Sequence, residues 1–312
     1  LKEEEGREIF FSLVNKCDIV IEGFRPGVVK RLKIDYEILK DINNGIIYCS
    51  ISSFGQDGPY RDRVAHDINI LAESGFFDIT GIPDGPPVIP GVQIADVISS
   101  FYAVIGILVS LINREKTGRG QFIDISMFDG MFSLLFDSLS YLFSGVNVPE
   151  RGKGRLWGGL SNYNLYETKD RRYIAVGSLE TKFKNTLFKE IGMDSPDDQN
   201  ITTEEVGESE GDLIRSLKEI FLKRSRDEWI RELERLNICI SPVNSLSEAV
   251  SHPQIRFREM IVETEHPEVG KLNLIGFPIK FSDIKVDVGR MPAPKLGQHT
   301  DCLLYTSPSP RD

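Results

Sequence analysis

Val64-Ala65-His66-Asp67-Ile68-Asn69-Ile70 and Gly91-Val92-Gln93-Ile94-Ala95-Asp96 bracket the stretch around which this chain is organised. Pro83, Pro86, Pro87 and Pro90, with Gly81, Gly85 and Gly91, forbid regular structure between the two arms and predict a stiff loop. The first arm brings together an imidazole, a carboxylate and an amide. Its continuation, Asp67 through Phe76, has the spacing of a helix with Ile68, Leu71 and Ala72 on the inner side. The second arm ends on a carboxylate just as the longest apolar stretch begins, running with helical period from Ile94 to Arg114. Its uninterrupted apolar part, Phe101 to Ile112, is nearer the ~10–14 residues of a buried helix than the length of a membrane span, so a core helix is expected.

Working outward, Glu8, Ile9, Phe10, Leu13 and Val14 read as an amphipathic helix, and Asp18 to Glu22 as a short buried strand. Pro26 opens a second short helix at the turn Arg25-Pro26-Gly27. Ile46 to Ser52 is a β-branched strand, and Ser53 to Tyr60 a loop at its carboxyl end, the edge where open α/β sheets hold ligands. Beyond the apolar helix, Gln121 to Met127 alternates as a strand and Phe128 to Phe143 as a helix. Gly145 to Leu160, rich in glycine and charge, reads as a linker. A hairpin of Tyr163 to Glu167 with Tyr173 to Gly177 follows, then helices near Thr181 to Ile191, Leu213 to Leu222 and Ser225 to Leu236, the last opened by a Ser225-x-x-Glu228 capping box.

The expected fold is therefore α/β: a Rossmann-like large domain with a parallel sheet, plus a smaller α+β domain. Residues 1–144 form the large domain, 145–162 the linker, 163–262 the small domain, and 263–301 return to the large one. Residues 302–312 shift abruptly in composition and are expected to be a non-native tail. Leu1 to Glu8 reads as the interior of a helix–strand unit, so the natural start is expected upstream.

The 312 residues suffice for two domains without covalent staples. The cysteines Cys17, Cys49, Cys239 and Cys302 lie far apart, against both a zinc site and a disulfide framework, and a reducing cytoplasm is the expected compartment. A formal charge of −10 disfavours nucleic acid and anionic membrane as partners. One local exception exists: Arg25, Lys30, Arg31 and Lys33 cluster around the Arg-Pro-Gly turn.

Chemically, His66 and Asp96 each supply one titratable group from segments that meet the carboxyl edge of the sheet. Removing a proton α to a thioester carbonyl needs a base near that carbon and a dipole at the oxygen, and inverting the centre needs a second donor on the opposite face. Asp96 at a helix start is favoured by the macrodipole, and free N–H groups there offer a seat for an enolate oxygen. The plainer alternatives are an N-cap for Asp96 and a hydrogen-bonded structural residue for His66. His252, His266 and His299 have no neighbours that suggest chemistry.

These segments resemble the α-methylacyl-CoA racemases and the related family III CoA-transferases, the CaiB/BaiF group. Glu5-Gly6-Arg7-Glu8, Gly23-Phe24-Arg25-Pro26-Gly27, Phe54-Gly55-Gln56-Asp57-Gly58-Pro59, the His66 and Asp96 motifs and Ala175 to Glu180 fall in that group's order from Leu1 to Asp301. The resemblance implies an interlocked homodimer with shared active sites and an acyl-CoA thioester substrate. No cofactor or metal is implied, CoA being part of the substrate. His66 and Asp96 would act as acid and base on two faces, Glu180 would assist His66, and Arg25, Arg31, Ala65, Asp67, Ile68, Asn69 and Ile70 would line the CoA site. Two positions depart from the racemase pattern, Ile70 for a tyrosine and Thr181 for a proline. The implied function is racemisation of 2-methylacyl-CoA, an isomerase of fatty acid metabolism. The alternative is a transferase in which Asp96 attacks the acyl-CoA and carries first the acyl group, then CoA. A CoA-binding protein without catalysis is the third reading.

Overall fold

Short β-branched runs become strands and amphipathic runs become helices, alternating from the start of the chain. The order is α1 (Glu4–Val14), β1 (Ile19–Glu22), α2 (Val28–Leu32), α3 (Tyr36–Ile42), β2 (Ile47–Ser52), α4 (Asp67–Glu73), α5 (Phe76–Ile79), α6 (Ile94–Thr117), β3 (Phe122–Ser126), α7 (Met127–Ser133) and α8 (Phe136–Phe143). A second series follows: β4 (Tyr163–Glu167), β5 (Tyr173–Gly177), α9 (Thr181–Glu190), α10 (Glu208–Phe221), α11 (Arg226–Leu233) and β6 (Ile240–Pro242). The computed structural model describes residues 1–193, 208–287 and 293–305, so 306–312 of the expected tail lie outside the described residues. Two units separate by their internal packing, Leu1–Ser241 and Pro242–Asp312.

β1, β2 and β3 form a parallel sheet in that order, with Ile21 opposite Cys49 and Cys49 opposite Ile123. β2 is central and covered on both faces, so its serines, Ser50 and Ser52, are buried along with Ile47, Tyr48 and Cys49. Ile46 and Tyr48 pack with Val14 and Leu39 on one side, and Ile47 and Cys49 with Ala103 and Ile107 of α6 on the other. The result is the helix–sheet–helix layering expected of an α/β unit. Burial of this kind pushes the Cys49 thiol up to about 11, leaving it an inert core group.

Three expectations need correcting. Helix α4 turns its inner face one residue away from the predicted phase: Ile70 and Leu71 are fully buried with Ala95, Met131 and Leu135, whereas Ile68 and Ala72 are exposed. The helix also stops before Gly75, and α5 starts anew. Helix α6 is a core helix on one face only. Ala95, Ser99, Ala103, Ile107 and Ser110 are buried, while Val97, Phe101, Val104, Ile105, Leu108 and Ile112 stay exposed, Phe101 at 60%. By length and composition α6 is apolar enough to cross a membrane. Its buried stripe, however, is seated on β2 and β3. The expected single helix from Phe128 to Phe143 is two: α7 opens on a Ser126 side chain that accepts from the Asp129 N–H (3.1 Å), and α8 restarts at Phe136.

The second sheet, ordered β4-β5-β6, begins with the predicted hairpin, Tyr163 opposite Gly177 and Glu167 opposite Tyr173. Tyr166, Ile174 and Val176 bury against Leu187, Phe188 and Phe221, each large side chain contributing about 1.5–3 kcal/mol. The Ser225 capping box forms, with the Ser225 N–H donating to the Glu228 carboxylate at 2.8 Å. Gly145 to Leu160 runs along the proline-rich loop, where Arg151 donates to Phe77 O (3.0 Å) and Gly85 O (3.1 Å). In the other unit, α12 (Leu246–Ser251) and α13 (Pro253–Phe257) precede an antiparallel pair, β7 (Ile261–His266) and β8 (Gly270–Ile275), and α14 (Thr300–Tyr305) follows.

Candidate active site

The carboxyl edge of the parallel sheet is assembled from polar side chains that fix two loops. Glu22, the last residue of β1, accepts from the Phe24 N–H (2.7 Å) and from the Ser50 hydroxyl, and Gln56 Nε2 donates to the same hydroxyl (2.8 Å). The backbone N–H of Gln56 donates to Asp124 Oδ2 on β3 (2.9 Å). Gly55, just before, has φ +87, and a Cβ there would lie 3.5 Å from the same carboxylate oxygen. A left-handed backbone next to a carboxylate explains why glycine stands at this point. Burial pushes the Asp124 carboxyl above the usual range, the Gln56 N–H opposes, and Asp57 and Asp129 add to the rise.

From there the loop travels to His66. Ser53 Oγ donates to Ala65 O (3.2 Å), closing the loop at its base. Arg63 grips Glu73 with both guanidinium arms (2.9 and 2.7 Å) and lies over the rings of Tyr60 (4.3 Å) and Phe54 (5.5 Å). His66 itself is the N-cap residue of α4, exposed, with its backbone N–H donating to the Asn69 side-chain oxygen (3.1 Å).

Asp67 joins the two arms. Its Oδ1 accepts from the N–H of Ala95 (2.7 Å) and of Asp96 (3.4 Å), the second and third residues of α6. The N-cap of α6 is Gln93, which makes no side-chain cap, so a carboxylate from α4 supplies the missing acceptor. The plainer expectation for Asp96 is thereby corrected: it is not the N-cap but the third helical residue. Two of the N–H groups proposed for an enolate oxygen are already taken by Asp67. Burial is the main cause that raises the Asp96 carboxyl above its ordinary value, the Asp67 carboxylate adds to it, and His66 opposes. Asp96 is exposed in this chain, so the loss of hydration is partial.

His66, Asp67 and Asp96 are thus brought together. Glu180 is not brought to them: it is the exposed N-cap residue of α9, and among the described residues its carboxylate has no hydrogen-bond or ion-pair partner. Ile70 is fully buried and packs the core instead of facing an open site, while Ala65 is half-buried and Ile68 and Asn69 are exposed. Arg25 and Arg31 are exposed on the turn and first helix after β1. A groove of about 1960 Å³, walled by Ile79, Trp157, Tyr163, Tyr173 and Ile214 with Lys153 and Arg155, lies in the same unit but is lined by none of His66, Asp96 and Glu180.

Two contributions escaped the sequence. Arg61, on the loop after β2, donates from Nε to Gln56 O (2.9 Å) and reaches Gly27, where Arg31 also arrives. Proximity in the chain grouped Arg31 only with its neighbours. The capping role of Asp67 had a trace in the sequence, because Gln93 is a poor cap for so long a helix.

The description "CoA-transferase family III" fits residues 1–300 of the chain. An acyl-CoA transferase of Fusarium pseudograminearum (strain CS3096) is 33% identical over 96% of this chain and 66% of its own length. The human succinyl-CoA:glutarate CoA-transferase is 31% identical over 97% of this chain and 69% of its own. The crystal structure of a CAIB/BAIF family protein from Brucella suis superposes with a TM-score of 0.83 at 32% identity, covering 98% of this chain and 79% of that one. This chain spans about two thirds of the length of these two curated relatives. Their names fit the transferase alternative better than racemisation. By its match over nearly every residue and by its fold, the chain belongs to CoA-transferase family III.

Proposed function

We propose that the protein transfers CoA between a short acyl-CoA thioester and a free carboxylic acid, with Asp96 as the nucleophile. The observation that carries this reading is the Asp96 carboxylate itself: exposed, on the first turn of α6, its pKa raised by partial burial and by Asp67. A carboxylate with a raised pKa is more basic and more nucleophilic. The substrate class follows the relatives, whose names specify succinyl, glutarate, acetyl, formyl and oxalate groups. All are short acids.

The steps balance as acyl exchanges. Asp96 attacks the thioester carbonyl, its C–S bond breaks, and CoA leaves as thiolate from a mixed anhydride on Asp96. The thiolate attacks the Asp96 carbonyl and releases the first acid, leaving an aspartyl-CoA thioester. The acceptor carboxylate attacks that thioester, and the thiolate it releases attacks the acceptor's carbonyl in the new anhydride, giving the new acyl-CoA and free Asp96. In this scheme Asp67 holds the first turn of α6 in place, and His66 tempers the carboxylate's charge.

A homodimer belongs to the proposal. The apolar face of α6, from Val97 to Ile112, has no cover in the single chain, and a second copy would supply one. Any action of Glu180 on His66 would then come from the partner. Racemisation is the second reading, favoured by the pairing of His66 with Asp96. Incubating a CoA thioester with an unrelated free acid tests the proposal: new acyl-CoA should form with the native protein and not with Asp96→Ala. Thioester epimerised without CoA transfer would favour the racemase.

A further inference from the structure

The proline-rich loop before α6 is folded around a side chain from another part of the chain. Three of the five residues from Pro83 to Pro87 are prolines, which have no backbone N–H, so the loop can do little to bond itself. It holds the Gly85 N–H to Ile82 O bond (3.0 Å) and a bridge between Gly81 and Pro87. Arg151 brings further donors. Its Nε donates to Phe77 O (3.0 Å), one of the carbonyls that the end of α5 leaves without an intrahelical partner, and its Nη1 donates to Gly85 O (3.1 Å). The stem of the same side chain crosses Gly81, where a Cβ would lie 2.5 Å from Arg151 Cδ and 2.7 Å from Pro86 O, so a glycine is needed for the loop to close this tightly. Next along the chain, Gly152 rests on Pro83, whose ring would lie 2.6 Å from a Cβ, and Lys153 Nζ meets Asp84 Oδ1 at 2.8 Å. That ion pair is exposed and contributes little, so the joint rests on the arginine.

Phe77 and Ile79, at the foot of the loop, pack against the cluster that contains Ala95, and Ile94 packs there too. Asp96 is the next residue of that first turn of α6, whose N-cap Gln93 makes no side-chain bond. Asp67 fixes the turn from the α4 side, and the chain enters it from the loop. From this arrangement we infer that Arg151 is a positioning residue for Asp96. By holding Phe77 and Gly85 in one setting it fixes the loop from which α6 starts, and with it the direction from which the Asp96 carboxylate attacks. Arg151 acts through the loop and makes no bond to Asp96. The inference rests on the transferase reading above and gives the stretch from Gly145 to Leu160 a part in it.

Steady-state CoA transfer from succinyl-CoA to a free acid, together with hydrogen exchange read by mass spectrometry, tests it. The proteins are the native chain, Arg151→Ala, Arg151→Lys, Gly81→Ala and the double variant Gly81→Ala/Arg151→Ala. A misplaced nucleophile should lower kcat by about tenfold to a hundredfold in Arg151→Ala, while KM for the acyl-CoA stays within about twofold. Arg151→Lys keeps the charge and one donor and should recover part of the loss. Amides of residues 78–95 should exchange faster in Arg151→Ala, and those of β4 and β5 at the native rate. Gly81→Ala disturbs the same joint from the loop side, so the double variant should be scarcely worse than the worse single one. If Arg151→Ala does not fold, Arg151→Lys and Gly81→Ala carry the same comparison. Native kcat in Arg151→Ala, a raised KM at native kcat, native exchange of the loop, or losses that multiply in the double variant overturn the inference and leave the proposed function standing. A native chain that transfers no CoA overturns both.

Discussion

Replacing Asp67 tests the joint between His66 and Asp96, because one carboxylate oxygen serves two backbone donors of α6. Asp67→Ala strips the cap from a helix whose own N-cap residue, Gln93, makes no side-chain bond, at a cost of about 1–2 kcal/mol. For a unit of this size that lowers the melting temperature by about 2–4 °C per kcal/mol. Asp67→Asn keeps an acceptor in the same place and loses only the charge–dipole part, about 0.3–1 kcal/mol. The two variants then separate geometry from charge. Asp67 raises the Asp96 pKa, so in Asp67→Asn that pKa falls and the carboxylate nucleophile persists to lower pH. The acid limb of the kcat/KM profile for CoA transfer should move down in pH, while Asp67→Ala should also lose rate through misplacement of Asp96. An Asp67→Ala protein that melts with the native one, or an acid limb in Asp67→Asn that stays or moves up, would refute the reasoning.

Asp96→Asn should abolish transfer and slightly raise the melting temperature at neutral pH. A carboxyl whose folded pKa is raised destabilises the fold when ionised, and this penalty is present above its folded pKa and fades on acidification below its unfolded value. Leu71→Ala, in the cluster that packs α4 against α6, should cost about 2–5 kcal/mol in denaturant unfolding and lower kcat with it. Gly55→Ala should cost about 1–2 kcal/mol through its left-handed backbone, read from thermal melts, since the space for the methyl is ordinary contact. Leu108→Asp, on the open face of α6, should convert a dimer to monomers in sedimentation velocity while leaving helix content unchanged.

What was legible in the sequence follows from how locally each feature is determined. β2 was readable because isoleucines recur along a short run between turns, and the Ser225 box because its partners lie three residues apart. The α4 helix was readable in its start but neither in its end nor in its phase. Its inner face is chosen by Ala95, Met131 and Leu135, which come from α6, α7 and the turn before α8. The same holds for α6, whose apolar composition cannot say how much of its surface one chain covers. At the site, His66 and Asp96 were found as motif residues, but the bond that ties their segments runs from Asp67 across twenty-eight positions. Arg61 joins Arg31 only once two sheet-edge loops are folded together. Ile70, beside the motif residues along the chain, lies on the face of α4 that Ala95, Met131 and Leu135 bury.

The central claim is that Asp96 carries the acyl group and then CoA. Intact-protein mass spectrometry after incubation with succinyl-CoA in D2O, without acceptor acid, tests it most directly, with the CoA thioester analysed for deuterium in parallel. The account predicts a covalent CoA adduct on Asp96, absent from Asp96→Asn, and no deuterium at the carbon next to the thioester. Deuterium at that carbon with no adduct on the protein would contradict it.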